Sequence, residues 1–154
     1  MFDIKIEPGK AFDELDHLAA GIADATPLMR SIAAEFESQT EANFEAEGRP
    51  AWLGLKPSTI AQRTKHGTWP GRIMQISGQL AASYTSAFDQ DSAIIGSNKV
   101  YAAIQNLGGK AGRGHKAILP ARPQVPITPQ GDLQPEAEEA VIGIANDYLR
   151  TLCG

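Results

Sequence analysis

The chain has 154 residues, of which 42% are hydrophobic and 21% are charged, and its formal net charge is −4. This length predicts a single domain over residues 1–154, because one hydrophobic core serves chains of roughly 100–200 residues. The apolar fraction excludes an intrinsically disordered chain, and no uncharged apolar run approaches the roughly 20 residues that span a bilayer. The single cysteine, Cys153, excludes an internal disulfide framework and a cysteine-based zinc site. The composition therefore indicates a soluble intracellular protein with no membrane partner.

The first half of the chain predicts a strand followed by two helices. Alternating apolar and polar residues predict a strand at 2–6, and helical spacing of apolar residues predicts a helix over 11–22. Thr26 and the proline after it are typical of a helix start, so we expect a long helix near 27–46 with Thr26 as its N-cap.

Shorter elements follow the long helix. We expect a loop packed down by Trp52, a short helix over 58–65, and a hairpin with strands at 83–88 and 92–96. Asn98 then predicts the cap of a further short helix. The buried side of that helix is expected to carry Val100, Tyr101, Ile104 and Leu107.

The C-terminal third combines a basic loop with a second long helix. Residues 109–117 are rich in glycine and basic residues, and we expect them to form a mobile loop. A clean amphipathic stripe predicts a C-terminal helix near 134–152. The predicted fold class is therefore α+β, with a small antiparallel sheet packed against several helices.

Charge is segregated along the chain. Residues 1–48 carry eleven acids and three bases, residues 49–122 carry ten bases and two acids, and residues 123–154 carry five acids and one base. Such segregation favours a basic surface for a polyanion, or acidic and basic faces that meet one another. Those faces could belong to neighbouring subunits, or the acidic helices could pack beside the basic segment within one subunit.

No set of residues in the sequence has the spacing of a catalytic, cofactor or metal site. His17, His66 and His115 are scattered and lack partners at the spacing of metal ligands or of a nucleophile and its base. The glycine-rich residues 108–114 lack the hydroxyl that follows the lysine of a phosphate-binding loop. The sequence predicts no enzyme, and a hydrolase is the weakest alternative.

The segment 119–126 is suited to docking on a neighbour. Its three prolines make it extended and ordered in advance, so it loses little conformational entropy when it binds. Arg122 adds a planar group with five donors, which suits a carboxylate or a phosphate.

Four segments stand out as motifs in chain order. Residues 52–59 read Trp-x-x-Leu-x-Pro-Ser-Thr, and residues 73–83 approximate Leu-x-x-Ser-Gly-x-Leu-x-x-Ser. Residues 96–109 begin with Gly-Ser-Asn and end with Gly-Gly, and residues 118–123 end with Pro-Ala-Arg-Pro. From about residue 11 to 152, the chain resembles the phage virion morphogenesis (tail completion) proteins of Mu-like phages and prophages. It departs from the family's common Ile-His-Gln, because no histidine separates Ile104 from Gln105.

The resemblance implies a non-enzymatic structural protein of the virion neck or tail, assembled in the bacterial host cytoplasm. It implies completion of the tail or joining of tail to head, as a subunit of a ring that is commonly of six. Its partners would be copies of itself and other phage head, neck or tail proteins, and packaged DNA could be a further contact.

Two groups of residues are expected to serve such a ring. A subunit interface is expected at Trp52, Pro120, Arg122 and Pro123, although intramolecular packing is the favoured alternative for the tryptophan. A mobile contact loop is expected at Lys110, Arg113 and Lys116. The alternative function is a DNA-binding accessory protein that uses the basic segment 49–122, which contains no recognition motif.

Overall fold

The computed structural model describes residues 10–153, with side-chain burial from residue 17 onward. The strand expected at 2–6 lies outside the described residues. The helices and strands, in chain order, are α1 (Lys10–Ala23), α2 (Thr26–Glu45), α3 (Pro57–Lys65), β1 (Tyr84–Phe88), β2 (Ala93–Ser97), α4 (Ala102–Leu107), β3 (Gly109–Ala111), β4 (Ala117–Leu119) and α5 (Pro135–Cys153). Five helices and two antiparallel pairs of strands confirm the α+β class.

The long helix predicted near 27–46 is confirmed as α2, but its start differs from the prediction. Thr26 is already helical, and it does not cap the helix. The carboxylate of Asp24 instead accepts hydrogen bonds from the Thr26 hydroxyl at 2.6 Å and from the Thr26 backbone nitrogen at 3.1 Å. These bonds lower the pKa of Asp24, the bond from the side chain most of all. Asp24 therefore holds the first residue of α2, although no side chain caps the helix at its N-cap residue, Ala25.

The C-terminal helix predicted near 134–152 is confirmed as α5, and it packs against α1 and α2. Its predicted stripe faces inward: Ala137 is fully buried, and Val141, Ile144, Tyr148 and Leu152 are half-buried. The Tyr148 hydroxyl reaches α1, where it donates to the carbonyl oxygen of Gly21 at 2.9 Å. The three acidic helices thus form one layer of the molecule.

The predicted hairpin is confirmed, with Tyr84 opposite Ser97 and Phe88 opposite Ala93. It packs against α2, whose Glu37 carboxylate accepts a hydrogen bond from the Ser86 backbone nitrogen at 2.7 Å. The hairpin and α2 therefore form the frame on which the later loops lie.

The prediction for the short helix α4 was wrong in its start and its buried side. The helix begins at Ala102 rather than just after Asn98, and Val100 and Leu107 are 98% and 74% exposed. Its six residues are too few to present an apolar stripe. Of the predicted buried side only Ile104 is half-buried, as are Gln105 and Asn106, and the buried residue of the helix is Ala102. The Asn106 side-chain oxygen accepts a hydrogen bond from the Gln124 backbone nitrogen at 2.7 Å, so the inner side of α4 serves as a polar anchor.

Residues 109–117, for which a mobile loop was predicted, instead form most of a second, short hairpin. Gly109 of β3 pairs with Leu119 of β4, and a 3-10 turn at residues 113–115 connects the two strands. Its mobility stays a prediction. Gly108, with a φ of +72°, opens the hairpin where the chain passes so close to Ala121 that a Cβ would lie 2.6 Å from its backbone nitrogen.

The interior combines a small apolar cluster with a buried polar network. The cluster consists of Phe44, Trp52, Leu80 and Ala102, and the first two rings meet edge to face with centroids 5.6 Å apart. The network is centred on Asn43 of α2, whose amide donates to the Gln124 carbonyl at 2.9 Å and to the Gln134 side chain at 3.0 Å. It fastens the long segment between β4 and α5 to the frame.

Candidate functional site

The described residues offer binding surfaces more than reactive clusters. They contain no group of three or more His, Cys, Asp and Glu side chains placed to hold a metal ion. None of the helices over residues 10–153 combines the length and apolar character needed to cross a membrane. His66 and His115 are exposed, as is His17, whose ring lies 3.0 Å from the Leu152 carbonyl oxygen.

Trp52 and Pro123, both expected at a subunit interface, contact each other within the subunit. The indole Nε1 of Trp52 donates to the carbonyl oxygen of Pro123 at 2.9 Å, and the ring is buried against Phe44. Both residues also line a cleft of about 220 Å³. Trp52 therefore packs within the subunit, as the favoured alternative for this residue predicted. Its part in a subunit interface stays a prediction.

Arg122 joins two of the four sequence motifs. Its Nε donates to the carbonyl oxygen of Leu53 at 3.0 Å and its Nη2 to that of Gly54 at 3.2 Å, and the side chain is only 7% exposed. Burial lowers the pKa of this guanidinium. Carbonyl oxygens accept from two of its donors without neutralising its charge, so Arg122 stays a buried cation beside the surface.

Arg122 and Pro120 line an open cleft of about 650 Å³ that we call the α3–hairpin groove. One wall is the loop before α3 together with α3 itself, and the other is β4 with the proline turn that follows. Two further cations, Lys56 and Arg63, line the same groove. Two of the four residues predicted for a subunit interface, Pro120 and Arg122, therefore lie together in the α3–hairpin groove.

Arg63 is the residue of this groove that the sequence did not reveal. It lies in α3 with 6% of its surface exposed, its Nη2 donates to the Arg72 carbonyl at 3.1 Å, and its guanidinium lies 5.4 Å from the centre of the Trp69 ring. Its buried Nε has no hydrogen-bond partner among the described residues. An arginine in a short polar helix looks like a solvated residue, and only the packing of Trp69 over it marks it as buried.

The residues expected to form a mobile contact loop lie on the second hairpin and are not among those that line the groove. Lys110, Arg113 and Lys116 are all exposed, so their charges face solvent. Any role in contact with a polyanion stays a prediction.

Among the side chains that the structure describes, residues 17–153, no ion pair joins an acidic segment to the basic segment. The one ion pair among the described side chains of residues 17–153 joins Arg150 to Asp147 within α5, at 3.2 Å. Both side chains are exposed, and such a pair contributes little to stability. In this part of the chain, the packing of acidic helices beside the basic segment therefore does not neutralise the basic segment by direct pairing.

Comparison with known proteins identifies the family. The model of the phage virion morphogenesis family matches residues 8–150. The chain is 43% identical over 153 residues to "Mu-like prophage FluMu G protein 2" of Haemophilus influenzae, with 99% of each chain covered. It is 37% identical over 123 residues to "Putative capsid assembly protein G" of Escherichia phage Mu, with 77% of this chain and 78% of that protein covered. No solved structure matches. The chain belongs to the phage virion morphogenesis family.

Proposed function

We propose that this protein is a structural subunit of the virion that completes the tail or joins it to the head, acting in a ring of identical copies and without catalysis. The observation that carries the proposal is the family match over residues 8–150. The names of the two relatives, one a prophage protein and the other a putative capsid assembly protein, support a role in building the particle.

The surface of the subunit supports assembly with other copies. Large apolar side chains are exposed on several elements, among them Leu53, Ile76, Ile118 and Ile142. Exposed apolar groups that cluster are typical of interaction surfaces. Among the described side chains, the cations of the basic segment have no carboxylate partner, and Asp147 is the one carboxylate that pairs with a cation. Two different faces of opposite charge favour a head-to-tail contact, which closes into a ring when the rotation allows.

The ring is tested by native mass spectrometry of the purified protein over a range of concentrations and salt. We expect one dominant closed species at the highest concentrations, whose mass is an integral multiple of the 16.4 kDa chain. A protein that remains monomeric at the highest concentration would contradict the ring.

The role in assembly is tested with a phage or induced prophage in which this gene is interrupted. We expect electron micrographs of the lysate to show heads and tails that are not joined, and expression of the gene in trans to restore infectious particles. Virions purified from the rescued lysate should contain the protein. Normal yields of joined particles without it would overturn the proposed role.

A DNA-binding role of the basic segment is a second candidate, and the exposed hairpin cations Lys110, Arg113 and Lys116 favour it. Fluorescence anisotropy with a short labelled duplex tests it, since binding through phosphates weakens steeply with salt. Replacing all three cations with glutamine should lower the slope of log affinity against log salt by about 3. Absence of binding at low salt would remove this candidate.

A further inference from the structure

The α3–hairpin groove has positive charge that its own lining does not neutralise. Lys56, Arg63 and Arg122 line it, and no carboxylate is among the lining residues that the structure describes. Two of these cations are nearly buried, and a buried charge without a counter-charge is costly. A carboxylate that enters the groove from another molecule would therefore be favoured at this place.

The walls of the groove are apolar as well as cationic. Leu53, Ile76 and Ile118 line it and are each more than half exposed. A DNA backbone would pair with the cations but leave these side chains in water. An amphipathic segment that carries carboxylates beside aliphatic residues would satisfy both features of the groove.

One exposed side of α5, which we call its outer face, combines a carboxylate with aliphatic side chains. Glu138, Ile142, Ala145 and Leu149 follow one another at spacings of four, three and four residues, which places them on one side of the helix. Ile142 and Leu149 are exposed although large and apolar, and Glu138 is exposed. The stripe spans about 16 Å along the helix axis. This stripe lies about a quarter of a turn around the helix from the inward stripe that packs against α1 and α2, and Ala145 at its edge is half-buried.

We infer that the α3–hairpin groove of one subunit receives the outer face of α5 from a second copy of the chain. Aliphatic residues of the helix cover the walls, and Glu138 brings a carboxylate to the cations of the groove. The groove and the helix face are different surfaces, so the contact is heterologous and repeats from subunit to subunit. The inference rests on the proposed function, because it names the contact by which that ring would form.

Two single variants test the contact from its two sides. Ile118→Asp disables the groove and Ile142→Asp disables the helix face, and both positions are exposed, so each subunit should fold with the circular dichroism of the wild type. We expect each variant to weaken the contact at least about tenfold and to be monomeric at concentrations at which the wild type assembles. Val100→Asp, at an exposed aliphatic residue outside both surfaces, is the matched control and should assemble normally.

Mixing the two variants gives the decisive result. The Ile118→Asp subunit keeps an intact helix face and the Ile142→Asp subunit keeps an intact groove, so one contact can form and no second one can follow. We expect native mass spectrometry to show a heterodimer of the two variants and nothing larger. A mixture that stays monomeric would overturn the inference.

The remaining outcomes separate this inference from the proposed function. If both variants form the same assembly as the wild type, the contact is wrong while the ring stands. If the wild type never assembles, both proposals fall. A lower melting temperature of Ile118→Asp with unchanged assembly would place a segment of the same chain in the groove, and a loss of duplex DNA binding with unchanged assembly would make it a nucleic-acid surface. Either result overturns the inference.

Discussion

Asn43 lies at the centre of the buried polar network, and its replacement by alanine tests what holds the long segment before α5 in place. The side chain is fully buried in α2. Its amide nitrogen donates to the Gln124 carbonyl and to the Gln134 side chain, at 2.9 and 3.0 Å, and its oxygen accepts from the Arg49 Nε at 2.9 Å. Asn43→Ala removes three hydrogen bonds and leaves their partners facing a small cavity.

The size of the effect follows from these partners. An unpaired buried polar group costs about 1–3 kcal/mol, and a bond to a charged group is worth about 1.5–3 kcal/mol. Water that enters the vacated space would recover part of this, so we expect a loss of about 3–5 kcal/mol in the free energy of unfolding. For a chain of this length that corresponds to a melting temperature lower by roughly 6–20 °C.

The measurement is urea and thermal unfolding followed by circular dichroism, with Asn146→Ala as the control. Asn146 is also helical, in α5, but it is exposed, so its replacement should change stability by less than about 0.7 kcal/mol. An Asn43→Ala protein within about 1 kcal/mol of the wild type would refute the reasoning, because the network would then contribute no more than an exposed amide.

Three further predictions follow from the same structure. Gly108→Ala should lower the free energy of unfolding in urea by well over about 1 kcal/mol, because its Cβ would meet the backbone of Ala121 at a φ of +72°. Gly143→Ala, at an open position in α5, should raise the free energy of unfolding by about 0.5–1 kcal/mol. Equal effects of the two variants would contradict this. Burial raises the pKa of Tyr84 from 10.0 to about 12, so the unfolded chain releases this proton first and stability should fall as the pH rises from 10 through 12. Tyr84→Phe should lessen that fall, and an unchanged pH profile would contradict the assignment. Arg122→Ala should weaken assembly in native mass spectrometry more than Lys110→Ala does. The loss of the Arg122 side chain releases the loop at Leu53 and Gly54, which forms one wall of the α3–hairpin groove. The reverse order of the two variants would count against a role of Arg122 in the subunit interface.

Much of the fold could be predicted because its signals are local. The stripe of α5 and the proline near the start of α2 placed both long helices to within one or two residues. The turn at residues 89–91 separates two runs of strand-forming residues, and this placed the first hairpin. Helical periodicity and turn chemistry act over a few residues, so the sequence displays them directly.

Short elements could not be predicted with the same success. The six residues of α4 complete fewer than two turns, so its apolar residues resembled a stripe although Val100 and Leu107 face water. The second hairpin has strands of three residues within a glycine-rich basic segment, and it was expected as a loop. In both places, the contacts made with distant segments decide the conformation more than local preference does.

The candidate site also contains residues that the sequence indicated and residues that it did not. The motifs and the unusual proline segment pointed to Arg122 and Pro120, which line the groove, but the sequence had no signal for Arg63 in the opposite wall. The contacts between Trp52 and Pro123, 71 residues apart in the chain, also appear only in the folded molecule.

The sequence by itself determined the class of fold, the family resemblance and the division of the chain into acidic and basic segments. Only the tertiary structure decided that no ion pair among the described side chains joins an acidic segment to the basic segment, and that three cations share one apolar groove. The physical reason is that periodicity and composition report each residue's own neighbourhood along the chain. The distance between two charges depends on how separate elements pack, and that packing is decided by contacts summed over the whole core.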